Sequence, residues 1–308
     1  MNVSKAKLES IVTAISSVLI GKEQEVRVAL ACLLARGHLL IEDLPGMGKT
    51  TLANAMARVL GLDFHRIQFT SDLLPADIVG VSVYEKGDGA FRFHPGPVFC
   101  QLLLADEINR TTPKTQSALL EAMAEGQVTV EGETRRLPEP FFVVATQNPI
   151  QYSGTFPLPE SQLDRFLMRI SLGYPDLASE KQILTGGDPR ARLGGLQPLM
   201  AIGELVALQR EVNDVSVAEP VVDYLQRLIQ FTRTSEVFEY GLSPRAALAI
   251  LQSAKAISLL DGRNFVIPED VQSVFPAVAG HRLQGAGRGH DSGSRVLIDK
   301  VLDAVDVI

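Results

Sequence analysis

Two patterns of hydrophobic and polar residues divide the chain. Up to about residue 172, helical stretches alternate with short apolar runs that we interpret as strands. These runs cover His38–Glu42, Phe64–Phe69, Gln101–Ala105, Phe141–Thr146 and Met168–Leu172. Such alternation predicts an α/β fold in which helices cover both faces of a parallel sheet.

Two segments within this region alternate apolar and polar residues around a glycine-containing turn. One is residues 82–93, with Gly-Asp-Gly in its middle, and the other is residues 127–137, with Glu131-Gly132. Glycine beside a polar residue favours a hairpin because tight turns need positive φ angles. We predict two β-hairpins that interrupt the alternation. The aromatic residues of the first could contact another protein or pack within the hairpin.

The pattern beyond about residue 196 is helical. Apolar residues recur at helical spacing over 200–212, 217–234, 244–260, 268–275 and 294–307. Ser243 before Pro244 is a helix start, with an N-cap serine and proline at the first helical position. We predict an α/β core over residues 1–175, a glycine-rich linker over 176–195 and a small all-α domain over 196–308.

Composition and charge narrow the class of protein. The 308 residues are 46% hydrophobic and 21% charged, which is typical of a globular protein, and the net charge is −7. An acidic chain is a poor candidate for nucleic-acid binding, although a local basic groove is not excluded. Cys32 and Cys100 lack metal-ligand spacing, and no apolar run approaches a membrane span of roughly 18 residues. We predict a cytoplasmic protein with two inert thiols and no membrane span.

A phosphate-binding signal runs from Asp43 to Thr50, after the apolar run Leu39–Ile41 and before a helical stretch. In such a loop, backbone N–H groups and a helix N-terminus surround phosphates. We expect Lys49 to reach the β- and γ-phosphates and Thr50 to bind Mg²⁺. The strict pattern has glycine where this chain has Asp43. An ordinary strand-to-helix turn containing Gly-Lys-Thr is the alternative.

Polar residues also follow two other apolar runs. Leu102–Ala105 ends in Asp106 and Glu107, where Asp106 would help to hold Mg²⁺ and Glu107 would polarise the attacking water. Asn148 follows Phe141–Thr146 and could bond the γ-phosphate or the water, although Asn-Pro also commonly begins a turn. Acids at a strand end can equally be a solvated surface feature. The phosphate loop upstream favours the catalytic interpretation.

Arg165 lies near the end of a short helical stretch, before the last apolar run. An arginine given to a neighbouring active site can accelerate phosphoryl transfer by about 10³- to 10⁵-fold. A salt bridge to a nearby acid is the structural alternative, and the residues alone leave both open.

These motifs, in this order, resemble the MoxR branch of the AAA+ ATPases over nearly the whole chain. The segments that carry the resemblance are Gln68–Pro75, Phe93–Phe99, Leu104–Arg110, Gln116–Met123, Ala145–Pro149, Leu158–Glu160, Leu163–Phe166 and Leu242–Ala246. The resemblance implies ATP and Mg²⁺ as cofactors. It also implies a Walker A loop formed by Pro45, Gly46, Met47, Gly48, Lys49, Thr50 and Thr51.

The resemblance implies further roles. Asp106 and Glu107 correspond to Walker B, with Thr50 and Asp106 as Mg²⁺ ligands. Asn148 corresponds to sensor one, and Ile20 and Gly21 would pack against adenine. Arg165 corresponds to an arginine finger acting in trans, although Arg110 could also face a neighbour. Arg245 corresponds to the sensor-two arginine of the lid.

The family architecture is an α/β core with a helical lid, assembled as a homo-oligomeric ring, usually a hexamer. The implied function is ATP-driven, chaperone-like remodelling, maturation or metal insertion of protein clients. A partner with a von Willebrand factor A domain is also implied. Two alternatives stay open: a nucleic-acid translocase, which the charge disfavours, and a nucleotide-regulated scaffold with little turnover, which Glu107 and Arg165 disfavour.

Overall fold

The computed structural model describes residues 3–87, 89–148, 154–186, 189–286 and 294–307. Its strands, in chain order, are β1 (Leu39–Glu42), β2 (Phe64–Gln68), β3 (Gly80–Glu85), β4 (Ala90–Pro95), β5 (Leu102–Asp106), β6 (Gln127–Val130), β7 (Glu133–Arg136), β8 (Phe142–Gln147), β9 (Met168–Ile170), β10 (Phe238–Tyr240) and β11 (Gln284–Gly285). Its α-helices are α1 (Val3–Ser16), α2 (Glu23–Leu34), α3 (Lys49–Val59), α4 (Pro75–Val79), α5 (Pro113–Glu125), α6 (Glu160–Leu163), α7 (Leu177–Thr185), α8 (Pro189–Gly194), α9 (Ile202–Asp214), α10 (Glu219–Thr234), α11 (Pro244–Leu260), α12 (Pro268–Ala279) and α13 (Ser294–Ala304).

The central sheet has five strands in the order β2-β5-β8-β1-β9. Each neighbouring pair is parallel. The predicted α/β fold is therefore confirmed, with strand ends within about two residues of those expected. The carboxyl ends of β5, β8 and β1 lie side by side in that order. Open α/β sheets bind ligands at this edge.

Every residue of β5 and β8 is buried, and apart from Asp106, Thr146 and Gln147 at the carboxyl ends all of them are apolar. Leu102 and Leu104 join one hydrophobic cluster, which includes residues of α1, α2 and α3. Leu103 and Ala105 point to the other face, where they join a cluster that includes residues of α5. The sheet is thus enclosed between two helical layers, as parallel sheets require.

Both hairpins are present. Strands β3 and β4 pair antiparallel, and so do β6 and β7. Glu131 and Gly132 both have positive φ, as a tight two-residue hairpin turn requires. Asp88, the middle residue of the predicted Gly-Asp-Gly turn, lies outside the described residues. The guanidinium carbon of Arg135 lies 4.0 Å from the centre of the Phe93 ring, so the two hairpins contact each other.

Two expectations for the second half of the chain are corrected. Much of the stretch over 176–195 is helical: it contains α7, capped by Asp176 accepting a 2.7 Å hydrogen bond from Ser179 N, and α8. The region after residue 196 is also not purely helical, because β10 and β11 form an antiparallel pair. Strands of two or three residues are too short to produce a recognisable alternation.

The C-terminal helices pack onto the first two helices. Arg27 of α2 forms an ion pair with Asp261, which follows α11, and Gln209 of α9 donates a 2.8 Å hydrogen bond to Leu33 O. The two cysteines are buried free thiols, and burial raises the pKa of Cys100 to about 12. Over the described ranges, no helix combines the length and apolarity needed to cross a membrane.

Candidate functional site

The loop between β1 and α3 has the backbone geometry expected of a phosphate-binding loop. Gly46 and Gly48 have φ angles of 86° and 94°. Gly48 is the N-cap of α3, and a Cβ atom there would lie 2.8 Å from Leu19 Cδ1. Glycine is therefore favoured at position 48 chiefly by its positive φ angle, because the tip of the Leu19 side chain could shift to admit a Cβ atom. The loop presents the N-terminus of an 11-residue helix, a favourable position for an anion.

Lys49 is in the first turn of α3 and is largely buried. Its Nζ atom donates hydrogen bonds to Asp43 O at 2.6 Å and to Asn148 Oδ1 at 3.1 Å. Burial lowers the pKa of Lys49, and the nearby carboxylates of Asp43, Asp106 and Glu107 oppose that shift. A partly desolvated ammonium group whose partners are neutral oxygens is well suited to attract phosphate.

The side chain of Asp43 anchors the loop. Its Oδ1 accepts a hydrogen bond from Leu44 N at 2.8 Å, while Oδ2 accepts from Gly173 N at 2.6 Å and from Ser171 Oγ at 3.1 Å. Its backbone N–H donates to Gln147 O at 3.2 Å. The departure from glycine thus connects the loop to the segment after β9.

Asp106 ends β5 and is held from two sides. Thr146 Oγ1 donates to Oδ1 at 2.6 Å, and Arg66 donates to Oδ2 from Nη2 at 2.7 Å and from Nε at 3.2 Å. Arg66 comes from β2, the edge strand next to β5. The carboxylate is therefore fixed in direction by both neighbouring strands.

Glu107 follows β5 in the left-handed region, with a φ angle of 58°. A non-glycine residue there is uncommon and often marks a functional position. Its Oε1 accepts from Asn148 Nδ2 at 3.0 Å, and Oε2 accepts from Gln68 Nε2 at 3.0 Å and Arg110 Nη1 at 2.9 Å. Asn148 therefore connects the predicted water-polarising acid to Lys49.

These residues surround one cavity of about 350 Å³. It is lined by Pro45, Gly46, Gly48, Lys49, Thr50, Thr51, Arg66, Gln68, Asp106, Glu107 and Asn148. The donor set of a Thr50 hydroxyl and an Asp106 carboxylate consists of hard oxygen ligands, which suits Mg²⁺. No group of three or more His, Cys, Asp or Glu side chains among the described residues could hold a metal. Such a sparse protein ligand set fits Mg²⁺ that keeps waters and phosphate oxygens.

The structure places the remaining candidates elsewhere. Met47 packs against the main hydrophobic cluster, and Ile20 and Gly21 line a separate cavity of about 600 Å³. Arg165 Nη1 donates to Leu120 O at 3.0 Å. Arg245 lies 3.4 Å from Asp164 Oδ2, with 70% of its side chain exposed. Neither arginine is among the described residues that line the 350 Å³ cavity. Pro149, after Asn148, lies outside the described residues.

Three polar residues of this site were not predicted from sequence: Arg66, Gln68 and Thr146. A signal for the first two was available, because β2 carries polar residues at alternate positions toward its carboxyl end. In the parallel register Gln68 is opposite Asp106. Arg66 is two residues before Gln68, so the side chains of Arg66 and Gln68 lie on the same face of the sheet as that of Asp106. Thr146 is within an apolar run and gave no such signal.

Comparison with known proteins agrees with this geometry. Residues 38–168 match the model of the ATPase family associated with various cellular activities (AAA), and residues 230–299 match the AAA lid domain. A crystal structure from Cytophaga hutchinsonii, provisionally described as an ATPase, has a TM-score of 0.88 with 35% sequence identity. It covers 98% of this chain and 95% of its own.

Sequence relatives narrow the family. The chain is 42% identical to chaperone MoxR1 of Mycobacterium tuberculosis, over 90% of this chain and 75% of that one. It is 32% identical to protein MoxR of Paracoccus denitrificans, over 90% and 88% of the two chains. It is also 44% identical to the uncharacterised protein YeaC of Bacillus subtilis, over 95% and 92%. With the sheet, the lid match and the cavity, these relationships show that the chain belongs to the MoxR family of AAA+ ATPases.

Proposed function

We propose that this protein hydrolyses ATP to ADP and phosphate and uses the reaction for chaperone-like remodelling or maturation of protein clients. The observation that carries the proposal is the hydrogen-bonded series from Lys49 through Asn148 to Glu107. It joins a phosphate-binding loop to a carboxylate at one cavity. A binding module for phosphate alone would not need this second half.

In the proposed mechanism, backbone N–H groups from Gly46 to Thr50 and the Lys49 ammonium group hold the β- and γ-phosphates. Thr50 and Asp106 would hold Mg²⁺, which supplies positive charge to the phosphate oxygens when it is bound. Thr146, by donating to Asp106, holds that carboxylate in its direction.

Glu107 and Asn148 act on the water. Asn148 orients the water, and Glu107 accepts its proton as the water oxygen bonds to the γ-phosphorus. The bond from that phosphorus to the ADP oxygen breaks, and the proton passes from Glu107 to solvent. Arg165 of a neighbouring copy, or Arg110 as the alternative, stabilises the charge on the transferring group, and Arg245 contacts the γ-phosphate from the lid.

Assembly follows from this division of roles. We propose a ring, most simply a hexamer, in which each site is completed by the next copy. The core over 1–175 and the lid over 196–308 would move relative to each other as nucleotide changes. A partner with a von Willebrand factor A domain would deliver clients. The family membership and the position of Arg165 outside its own cavity support this assembly.

The direct test compares two variants in ATP binding and turnover. Lys49→Ala should lose nucleotide binding, because the loop keeps its shape but loses its cation. Glu107→Gln should bind ATP about as tightly as the unmodified protein but turn over at least about 100-fold more slowly, as expected for loss of a general base. Calorimetry with Mg·ATP and release of phosphate measure the two properties.

Lys300→Ala and Glu121→Gln are the matched controls, because both residues are exposed on helices away from the cavity. Both controls should behave as the unmodified protein. Normal hydrolysis by Glu107→Gln would remove the catalytic assignment. If Lys49→Ala binds nucleotide as tightly as the unmodified protein, the assignment of the nucleotide-binding site is wrong.

A further inference from the structure

Arg66 forms a close contact with the candidate metal ligand. It donates two hydrogen bonds to Asp106 Oδ2, while the other carboxylate oxygen accepts from Thr146. About half of the Arg66 side chain is exposed, whereas the Asp106 side chain is nearly buried. The arginine therefore reaches the carboxylate from the cavity, which both residues line together with Thr50.

Electrostatics explains why a cation is needed there. A nearly buried carboxylate without a counter-charge is costly, so some positive group must compensate Asp106 when the cavity contains no metal. Arg66 is the cation in contact with it, and its Nη2 is also held at 3.2 Å by Gln68 Oε1. A guanidinium group and a divalent cation on the same oxygen would repel each other.

We propose that Arg66 is a resident counter-cation that competes with Mg²⁺ for Asp106 Oδ2 and releases this carboxylate only when Mg²⁺ binds together with nucleotide. The proposal rests on the proposed ATPase function. It makes Arg66 a positioning residue that sets how much Mg²⁺ the site requires. It also explains why β2, an edge strand, carries a basic side chain that reaches an acid of the neighbouring strand.

The sign of one measurement separates this role from a merely structural one. If Arg66 competes with the metal, its removal lowers the Mg²⁺ concentration needed for nucleotide binding. If Arg66 only orients Asp106 for the metal, its removal raises that concentration. Because the ion pair is partly exposed, we expect a shift of about fivefold in the midpoint.

The experiment titrates Mg²⁺ into protein with a fixed concentration of fluorescent ADP analogue, and follows binding by fluorescence. Arg66→Gln should reach half-maximal binding at about fivefold less Mg²⁺ than the unmodified protein. Arg210→Gln removes a positive charge from an exposed face of α9 and should leave the midpoint unchanged. A midpoint for Arg66→Gln equal to or above that of the unmodified protein overturns the proposal.

Thermal unfolding gives a second readout. In EDTA, Arg66→Gln should unfold at a lower temperature than the unmodified protein, because Asp106 loses its counter-charge. The difference should narrow in Mg·ADP, because the unmodified protein then also lacks the Arg66–Asp106 pair, and a constant difference counts against the proposal.

If the glutamine variant does not fold, Arg66→Lys replaces it, and its Mg²⁺ midpoint should shift by about twofold in the same direction. A lysine midpoint at or above the unmodified value overturns the proposal.

Failure of the proposed function gives a different result. In that case the unmodified protein either shows no nucleotide binding at any Mg²⁺ concentration or binds nucleotide without releasing phosphate from ATP. If every variant binds nucleotide with the same Mg²⁺ midpoint as the unmodified protein, only the proposed role of Arg66 is wrong.

Discussion

Asp43 stands where the strict phosphate-loop pattern has glycine, and its side chain anchors the loop. Its backbone has no positive φ angle, so glycine is not required there. The carboxylate accepts hydrogen bonds from Leu44, Ser171 and Gly173, and it is buried. Charge-assisted hydrogen bonds to a buried carboxylate are among the stronger polar contacts in proteins. The loop is consequently tied to the chain that follows β9.

This anchoring predicts that restoring the strict motif will weaken nucleotide binding. Asp43→Gly removes all three contacts and adds backbone freedom, so affinity for Mg·ATP should fall by about tenfold, or ~1.4 kcal/mol. Asp43→Asn keeps one acceptor oxygen and should lose less. Calorimetric titration measures both, with Asp214→Asn on the exposed end of α9 as the control. Equal affinity for Asp43→Gly and the unmodified protein would exclude an anchoring role.

Some residues of the site could be predicted from a short stretch of sequence, and others could not. Gly48, Lys49 and Thr50 could be predicted because a phosphate loop imposes its residues on one continuous segment. Asp106 and Glu107 could be predicted because they end a buried strand. The polar alternation of β2 marks Arg66 as a residue on one face, but its partner could not be predicted, because that depends on which strand pairs with β5, and periodicity does not reveal strand order.

At the scale of elements, His38 joins three parts of the core. Its Nε2 lies 3.1 Å from Met123 O at the end of α5, and Val143 N of β8 donates to its Nδ1 at 3.0 Å. Accepting from an amide requires Nδ1 to be unprotonated, so the geometry fixes the neutral tautomer with the proton on Nε2. Burial lowers the pKa of His38 to about 4.

The lowered pKa predicts acid sensitivity with a definite sign. The unfolded chain binds a proton below a pKa of about 6.5, whereas folded His38 does not until about 4. Its contribution is therefore fully present above about 6.5 and is lost as the pH falls toward 4, by up to about 1.4 kcal/mol per pH unit. Urea unfolding at several pH values measures this slope.

His38→Gln should be less stable at neutral pH and show a shallower loss of stability on acidification. Some slope should remain, because burial also lowers the pKa of His281 well below its ordinary value. His65→Gln, at an exposed position on β2, should keep the full slope. An undiminished slope in His38→Gln would mean that other groups cause the acid sensitivity.

Helices and strands could be predicted where a pattern of apolar and polar residues extended over several helical turns or several strand residues. The buried strands were found because apolar runs on both faces are long enough to see, and the hairpin at 127–137 because its turn requires Gly132. Helices α7 and α8 were mistaken for loop because glycine and proline surround short segments. The β10–β11 pair joins residues far apart in sequence, which no local pattern reports.

At the scale of the whole molecule, the arginines expected to act on phosphate do not reach the cavity of their own chain. Arg165 contacts a backbone oxygen of α5, and Arg245 pairs with Asp164. The family resemblance assigns Arg165 to a neighbouring site. A single copy would then contain the binding half and the water-positioning half of the machinery but lack part of its transition-state charge.

Shared sites predict complementation between two inactive variants. Arg165→Ala and Lys49→Ala should each be inactive alone. Mixed rings should recover part of the activity, because some interfaces combine an intact loop with an intact arginine. ATPase rate against mixing ratio measures the recovery, and Arg110→Ala mixed in the same way tests the rival arginine. Absence of recovery at every ratio would argue against Arg165 acting in trans.

The stacking of Arg135 on Phe93 has a mechanical consequence. One hairpin emerges between β2 and β5, and the other between α5 and β8, so the contact bridges two separate exits from the sheet. A displacement of either hairpin would disturb this contact and so act on the other hairpin. The coupling has the strength of a cation–π interaction, about 0.5–1 kcal/mol at an exposed site.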